Sequence, residues 1–419
     1  MSANAFQPIR GFPDVFPNES NDHHFLIERI QRHFKRFGIN PVILPLVERT
    51  ALFKRGVGEA TDIVTKEMYT FEDRHGESIA LRPEGTASML RALLQSGYRE
   101  GQLAKYQYYG PMFRHERPQK GRLRQFHQVG VESFGSTEIT SDIELIHMCH
   151  TLWQVLGIKD VTLELSFLGG PAAKSSFIEA LKSYLMPFMT ELPEEVIKRL
   201  ETNPLRVLDS KDTQVQAILA KGPTPLSFLD ASDLESLQTV ESMLTQLGIQ
   251  YHLNPFLVRG LDYYNGLVFE FKHQALGAQS TICAGGRYDA LSTQLGASKV
   301  IPACGFSIGV ERLLLLPFSR PNDEPLIYGI VDANDISIHQ TLYTIRNALD
   351  CVCLLDTKGG SLKSQLKRAN RANAQYALFS DANEQDNYVL KDLNTGVQDT
   401  FSQTQLIDYL MKEQNHEER

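Results

Sequence analysis

The sequence predicts an α+β fold: an antiparallel sheet flanked by helices, with a helical insertion inside it and a small α/β domain after it. Three observations lead there. Two long extended runs, Lys105 to His115 and Phe126 to Phe134, are joined by a short basic segment, as hairpin-linked strands are. A proline-broken helical block from about Gly170 to Leu247 separates them from further strand-like stretches. Beyond Pro317, Pro321 and Pro325 the pattern alternates β–α–β–α–β.

Ser20 to Phe37 reads as a helix with Ser20 as its N-cap. Phe25, Ile27, Ile30, Phe34 and Phe37 recur near helical spacing, and Gly38 can close the end. Pro41 and Pro45 bracket an extended Val-Ile-Leu segment suited to an edge or an interface. Met68 to Glu72 and Ser78 to Arg82 flank Arg74, His75 and Gly76 as a hairpin. Thr86 opens a short helix carrying Met89, Leu90, Leu93 and Leu94. Strand character returns from Tyr251 to Phe271 and near Thr281 to Ala284, so one sheet spans both sides of the insertion. Ala303 to Ile308 is strand-like and the chain turns helical from Val310. Asn322, Asp323 and Glu324, set between prolines, mark a linker. Strands are then expected at Leu326 to Val331, Cys351 to Leu355 and Tyr376 to Ser380, with helices at His339 to Leu349 and Ser361 to Ala374. The charged tail from Glu413 to Arg419 should fray.

At 419 residues the chain has room for two or three domains. Five cysteines without a CxxC pair argue against a disulfide framework or a structural zinc site, and Cys351 and Cys353 read as reduced core residues. No signal peptide or membrane span is expected, which points to a soluble, cytoplasmic protein. The net charge of −8 argues weakly against nucleic acid, but the distribution says more. Arg114 to Arg124, RHERPQKGRLR, has five cations against one acid, and Lys358 to Arg371, KGGSLKSQLKRANR, has five cations and no acid. Two basic patches on an acidic protein suit selective contact with a polyanion, although each alone reads equally as a solvated face.

Leu257 to Phe271, LVRGLDYYNGLVFEF, sets Arg259, Asp262, Tyr263 and Tyr264 in an apolar stretch. Buried polar groups need partners, so the segment is either a structural Arg259–Asp262 ion pair or the floor of a polar pocket. Neither a GxxxxGK[ST] loop nor a GxGxxG fingerprint is present, so a nucleotide would have to bind on a sheet through arginines. Arg114 at a strand end and Arg312 in the first turn of the helix beginning GVERLLLL are the candidates, since a cation at a helix start is disfavoured without an anion.

With these residues in view, Phe113 to Gly135 (FRHERPQKGRLRQFHQVGVESFG) resembles motif 2 of the class II aminoacyl-tRNA synthetases. Ala303 to Leu316 (ACGFSIGVERLLLL) resembles motif 3, and Phe34 to Pro45 sits where motif 1 belongs. LVRGLDYYNGLVFEF and AGGRYDAL (Ala284 to Leu291) resemble the two signatures of the histidyl-tRNA synthetases. LRPEGTASMLRA (Leu81 to Ala92) and TNPLRVLDSK (Thr202 to Lys211) also fit.

The resemblance implies a catalytic domain in two parts, 1–170 and 251–320, a helical insertion over 171–250 and an anticodon-binding domain over 325–419. It implies a homodimer that activates L-histidine with ATP, accompanied by Mg2+ with no metal site of the protein's own, and then charges tRNA(His). Arg259 and Arg114 would be the catalytic residues, on the α-phosphate and the carboxylate, with Glu116, Arg122 and Arg312 as further ATP contacts. Glu84, Thr86 and Gln128 would receive the histidine amino group. Glu132 and Tyr264 would take the imidazole nitrogens, with Tyr263 and Tyr288 completing the pocket. Arg117, Gln119 and Lys120 would meet the tRNA acceptor end, and Lys358, Lys363, Lys367, Arg368 and Arg371 the anticodon side. Gly266 stands where many relatives carry a larger polar residue. From Pro325 onward nine basic residues face thirteen acidic ones, net −4, which is low for an RNA binder. The alternatives are a catalytically silent, histidine-sensing regulatory subunit of ATP phosphoribosyltransferase, or an ATP-dependent ligase acting on free amino acids.

Overall fold

The computed structural model describes residues 6–320, 326–332, 336–349, 351–381, 384 and 387–417. They form two compact units, Met1–Ser319 and Arg320–Arg419, each with its own core. The linker residues from Pro321 to Pro325 lie outside the described residues.

The first unit begins with α1 (Pro17–Lys35), β1 (Asn40–Pro41), β2 (Val47–Arg49), α2 (Thr50–Val57), β3 (Thr70–Glu72), β4 (Ser78–Leu81) and α3 (Thr86–Gln95). The long hairpin β5 (Ala104–Phe113) and β6 (Gln125–Phe134) follows, then α4 (Thr140–Leu156) and β7 (Val161–Phe167). Four helices come next, α5 (Pro171–Leu185), α6 (Glu194–Thr202), α7 (Thr213–Leu219) and α8 (Ala231–Gln246). The unit closes with β8 (His252–Leu253), β9 (Asn265–His273), β10 (Thr281–Arg287), α9 (Leu291–Gln294), β11 (Ala303–Gly309) and α10 (Val310–Leu313).

An eight-stranded sheet in the order β1-β5-β6-β11-β10-β9-β7-β8 is the frame. From β5 to β7 every pairing is antiparallel, as expected, and α5 to α8 interrupt the sheet between β7 and β9. Only the two short edge strands run parallel to their neighbours; each is separated from its partner by a long connection, which permits that direction. A small sheet, β2-β4-β3, contains the expected hairpin at its β3–β4 pairing.

Alternation along the strands decides what each face carries. Val129 and Val131 on β6, Phe269 and Phe271 on β9, and Cys304, Phe306 and Ile308 on β11 pack into one core with Leu26, Ile30 and Phe34 of α1 and Leu145, Met148 and Leu152 of α4. The intervening positions, Gln128, Gly130 and Glu132 on β6, Val268 and Glu270 on β9, Gly305 and Ser307 on β11, face the other side, toward α3 and the inserted helices.

Several sequence expectations move. Helix α1 starts at Pro17, whose fixed φ suits a first turn, so Ser20 lies inside it and bonds Pro17 O at 3.3 Å. The segment from Pro41 to Pro45 is strand only at its start; Leu44 O and Pro45 O are instead held by the buried Arg82 guanidinium at 3.0 and 3.3 Å. The stretch between β8 and β9 is a loop, because its polar side chains reach out of the sheet to partners elsewhere. Helix α10 stops after four residues. Gly266 has φ +65°, a conformation glycine adopts without strain.

The second unit contains β12 (Leu326–Gly329), α11 (Ser337–Ala348), β13 (Val352–Leu355), α12 (Leu362–Arg371), β14 (Tyr376–Ser380), β15 (Asn387–Asp392), β16 (Gln398–Ser402) and α13 (Gln403–Glu417). Its sheet runs β13-β12-β14-β15-β16, parallel over the first three strands as the alternation predicts. The antiparallel β15–β16 hairpin, turned by Asp392 to Gly396, was hidden by its polar composition, and the tail continues as helix to Glu417. No described helix is long and apolar enough to cross a membrane.

Gly305 sits directly opposite Glu132 in the β11–β6 register, and a Cβ there would lie 1.7 Å from Glu132 Oε2 and 2.7 Å from Val131 O. Gly305→Ala should therefore destabilise the chain by about 1–3 kcal/mol, as overpacking a tight core does. A denaturation midpoint equal to wild type would contradict this packing.

Candidate active site

The polar face of the sheet forms the floor of a cavity of about 870 Å³, lined by Glu84, Thr86, Arg114, Arg122, Gln128, Arg259, Tyr263, Tyr264, Glu270 and Arg312 among others. Residues from motif-like segments up to about 200 positions apart thus share one wall. Pro83 and Gly85 bring Glu84 to the start of α3, where its carboxylate accepts Thr86 N–H at 2.7 Å and Ala87 N–H at 2.9 Å. Glu84 therefore caps this helix, and Thr86 is its first residue. That frees the Thr86 hydroxyl to donate to Glu132 Oε1 at 2.7 Å. The Tyr288 hydroxyl donates to the other oxygen of Glu132.

Glu132 is buried, and burial pushes its carboxyl up to about 8, the hydroxyls of Tyr288 and Thr86 pulling the other way. Glu132 and Tyr288 lie behind the cavity wall, whereas Glu84, Thr86, Gln128, Tyr263 and Tyr264 are on it. The rings of Tyr263, Tyr264 and Tyr288 form one cluster, with centroids 4.7, 5.4 and 6.4 Å apart. Buried in that wall, Gln128 Oε1 has no hydrogen-bond partner in the protein, an acceptor facing a ligand-sized space.

Six arginines line the cavity: Arg199 and Arg206 from the insertion, and Arg114, Arg122, Arg259 and Arg312 from the rest of the unit. Arg114 follows β5, donates from Nε to Pro83 O at 2.8 Å and lies over the Phe126 ring at 5.4 Å. Arg122 pairs with Glu116 at 2.7 Å. Arg312 donates to Thr281 O at 2.6 Å and to Gly121 O at 3.4 Å. Its pKa is lowered by burial and then by repulsion from Arg122 and Arg114, as expected where cations converge on one space. Arg259 is paired with Glu270, not with Asp262 as the structural reading of the sequence had it. Burial opposes the Arg259 charge, and Glu270, Tyr264, Tyr263 and Asp209 together more than restore it, while its Nε keeps no partner.

Asp262 has a different task. Its carboxylate accepts Asn203 Nδ2 at 2.6 Å, and Lys174 of α5 donates to the carbonyls of Asp262 and Tyr264 at 3.1 and 3.3 Å. The inserted helices thereby hold the loop that carries Arg259, Tyr263 and Tyr264. Sequence reasoning missed Glu270, Asn203 and Lys174 as supports. The first two lie inside segments already singled out, and the odd acid in a strand of apolar residues was the available signal for Glu270.

The basic loop is a tight turn closed by Gln119 and Arg122 exchanging backbone hydrogen bonds at 3.0 and 2.9 Å, and Arg117, Gln119 and Lys120 are exposed on it. In the second unit Lys358, Lys363, Lys367 and Arg371 are exposed. Arg368 differs: it is bound to Asp356 at 2.7 Å and to Gly359 O, so its charge supports the turn before α12.

An antiparallel sheet with helices on both faces, gathering arginines from a hairpin and from a strand–helix junction into one cavity, is the class II aminoacyl-tRNA synthetase architecture. A family model described as "Histidyl-tRNA synthetase" matches residues 11–313. A histidine–tRNA ligase of Halorhodospira halophila is 45% identical over 390 residues, covering 92% of this chain and 92% of that protein. Another, from a Marinomonas species, is 42% identical over 420 residues, covering 97% and 99%. The crystal structure of apo S. aureus histidyl-tRNA synthetase matches with a TM-score of 0.78 at 28% identity, over 97% of this chain and 99% of that one. The chain belongs to the histidyl-tRNA synthetase family.

The buried Glu132 makes stability depend on pH. Between its ordinary value of 4.5 and about 8, the native state keeps a proton that the unfolded chain has released. Stability contributed here therefore falls as pH rises through that window and levels off above it. Glu132→Gln should unfold at temperatures that vary less with pH over this range than wild type does; parallel profiles would rule out the raised carboxyl.

Proposed function

We propose that this chain is a histidine–tRNA ligase, which activates L-histidine with ATP to histidyl-adenylate and pyrophosphate and then transfers histidine to the 3′-terminal adenosine of tRNA(His). The observation that carries the reading is the convergence of Arg114, Arg122, Arg259 and Arg312 on a cavity whose wall also carries Glu84, Thr86, Gln128, Tyr263 and Tyr264. Relatives named histidine–tRNA ligase, at 41% identity or more over nine-tenths of the chain, favour this over the regulatory-subunit reading.

The chemistry needs no general base. An oxygen of the histidine carboxylate, already an anion, forms a bond to the α-phosphorus of ATP while the bond to the pyrophosphate oxygen breaks. Catalysis then rests on alignment and on neutralising negative charge. Arg114 and Arg259 take the carboxylate and α-phosphate, and Arg122 and Arg312 the outer phosphates. Glu270 holds Arg259 in place, so its fork is oriented before substrate arrives. Mg2+ accompanies ATP; Glu116 and Glu270 are the wall carboxylates that fit an oxygen-liganded cation, which supplies further neutralisation of phosphate charge when bound.

Histidine is selected by polar complementarity. Glu84 and Gln128 receive the amino group with Thr86, and the imidazole meets Tyr264 and Glu132. Because Thr86 and Tyr288 already occupy Glu132, a ring nitrogen must replace one of these bonds, and side chains unable to do so leave a buried carboxyl poorly matched. In the second step the terminal ribose hydroxyl attacks the adenylate carbonyl and AMP leaves. Arg117, Gln119 and Lys120 meet the acceptor end. The unit from 325 to 419 meets the anticodon through Lys358, Lys363, Lys367 and Arg371, with Arg368 behind them, and the insertion over 171–250 approaches the acceptor stem. Such an enzyme works in the cytoplasm, beside its tRNA.

Histidine-dependent ATP–pyrophosphate exchange followed by charging of tRNA(His) tests the whole reading. Exchange without charging would indicate a ligase for free amino acids, and histidine binding without exchange a regulatory subunit. Arg259→His should lower exchange by about 100- to 1,000-fold with the fold intact; wild-type exchange by that variant would remove Arg259 from its role. A homodimer is expected from the exposed apolar side chains Phe16, Ile43, Leu46 and Val47 around the motif 1 region, with Ile43 98% exposed. Sedimentation at micromolar concentration should give a dimer, and a monomer would refute it.

A further inference from the structure

Alternation along β6 sends Gln128 to the cavity and His127 to the opposite face, where α1 packs. There His127 meets His23 of α1 and Glu311 of α10. One nitrogen of each imidazole and one carboxylate oxygen of Glu311 lie within 4.8 Å of one another. We propose that His23, His127 and Glu311 form a binding site for one divalent transition-metal ion of the zinc class, separate from the ions that accompany ATP.

Three features point to a ligand. His23 Nε2 is buried and has no hydrogen-bond partner, so its lone pair or proton is unaccounted for. The two rings stand edge to face, with centroids 4.8 Å apart and an interplanar angle of 75°, and Tyr109 stacks on His127 at 5.8 Å and 22°. Glu311 is already fixed: it accepts the His127 backbone N–H with both oxygens at 2.9 Å, and Oε1 lies 2.9 Å from His127 Nδ1.

The donor set chooses the metal class. Two imidazoles and one carboxylate suit Zn2+, Co2+ or Ni2+, whereas Mg2+ and Ca2+ take oxygen ligands. Bonds of about 2.0–2.2 Å set tetrahedral donors about 3.3–3.6 Å apart, so the widest pair must close by up to about 1.5 Å through χ rotation. All three residues are partly exposed, so water can complete the coordination. Glu311 can give one oxygen to the ion and leave the other on the His127 backbone N–H. The site would then tie α1, β6 and the helix carrying Arg312 to one another.

The full-length chain, stripped with a chelator and titrated with Co2+, should take up about one ion per chain with visible d–d absorption from nitrogen and oxygen ligands. Dialysis against micromolar Zn2+ followed by elemental analysis gives an independent count. His23 touches nothing in the cavity, so His23→Gln should keep ATP–pyrophosphate exchange while its metal affinity falls at least tenfold. The thermal shift produced by Zn2+ in wild type should vanish in His23→Gln, and persist in His24→Gln. Equal Co2+ spectra and stoichiometry in wild type and His23→Gln would overturn the proposal. So would failure of wild type to retain Zn2+ at micromolar concentration, or loss of binding in His24→Gln alone.

Discussion

A β-strand sends consecutive side chains to opposite faces, and the first unit depends on that constraint throughout. On β9, Phe269 and Phe271 enter the core beneath the sheet, while Val268 and Glu270 turn toward the cavity. On β6 the same rule gives Val129 and Val131 to the core and Gln128 and Glu132 to the site. A slip of one residue would bury Glu270 and expose Phe269 and Phe271 on β9, or bury Gln128 and Glu132 and expose Val129 and Val131 on β6. The hydrophobic effect on one face thereby fixes the register that the chemistry on the other face requires.

Holding charged groups in such a cavity costs free energy, and the structure offsets the cost group by group. Arg259 is matched by Glu270, Arg122 by Glu116, and Arg287 by Asp142 beneath the tyrosine cluster. Arg312 has backbone carbonyls and feels the repulsion of its neighbours. Glu132 is treated differently: burial shifts it toward its neutral form, with two hydroxyls pointed at it. These partnerships leave the cationic wall oriented in advance, which is where electrostatic catalysis draws its advantage over water.

How much of this was readable in the sequence depends on the range of the interaction. The β5–β6 hairpin, the helix from Thr86 and the split of the sheet around the insertion follow from local periodicity and turn chemistry. Arg259 was visible as a polar intrusion in an apolar run, whereas Glu84 entered only through the family resemblance. What could not be read was who meets whom. Asp262, three residues from Arg259, was the natural partner by proximity, yet a loop turns it toward Asn203 and leaves Arg259 to Glu270 across the strand. Arg368 looked like one more cation in a basic run, and only the fold around Asp356 takes it out of that set. Ser20 failed as a cap because Pro17, with its preset φ, opens the helix a turn earlier.

The insertion is more than an appendage to the sheet. Lys174 near the start of α5 holds two carbonyls of the loop bearing Tyr263 and Tyr264, and Asn203 after α6 holds the Asp262 carboxylate between them. Arg206 approaches the same loop, its Nη1 lying 3.0 Å from the position a Cβ of Gly260 would occupy, and pairs with Asp209 at 3.3 Å. Burial lowers the Lys174 pKa, so the free energy spent on keeping that ammonium charged must be returned by those carbonyls and by Asp262. A displacement of α5 and α6 could not leave these bonds intact. The loop that carries Arg259 is thus held to the inserted helices by these side chains as well as by the apolar cluster they share.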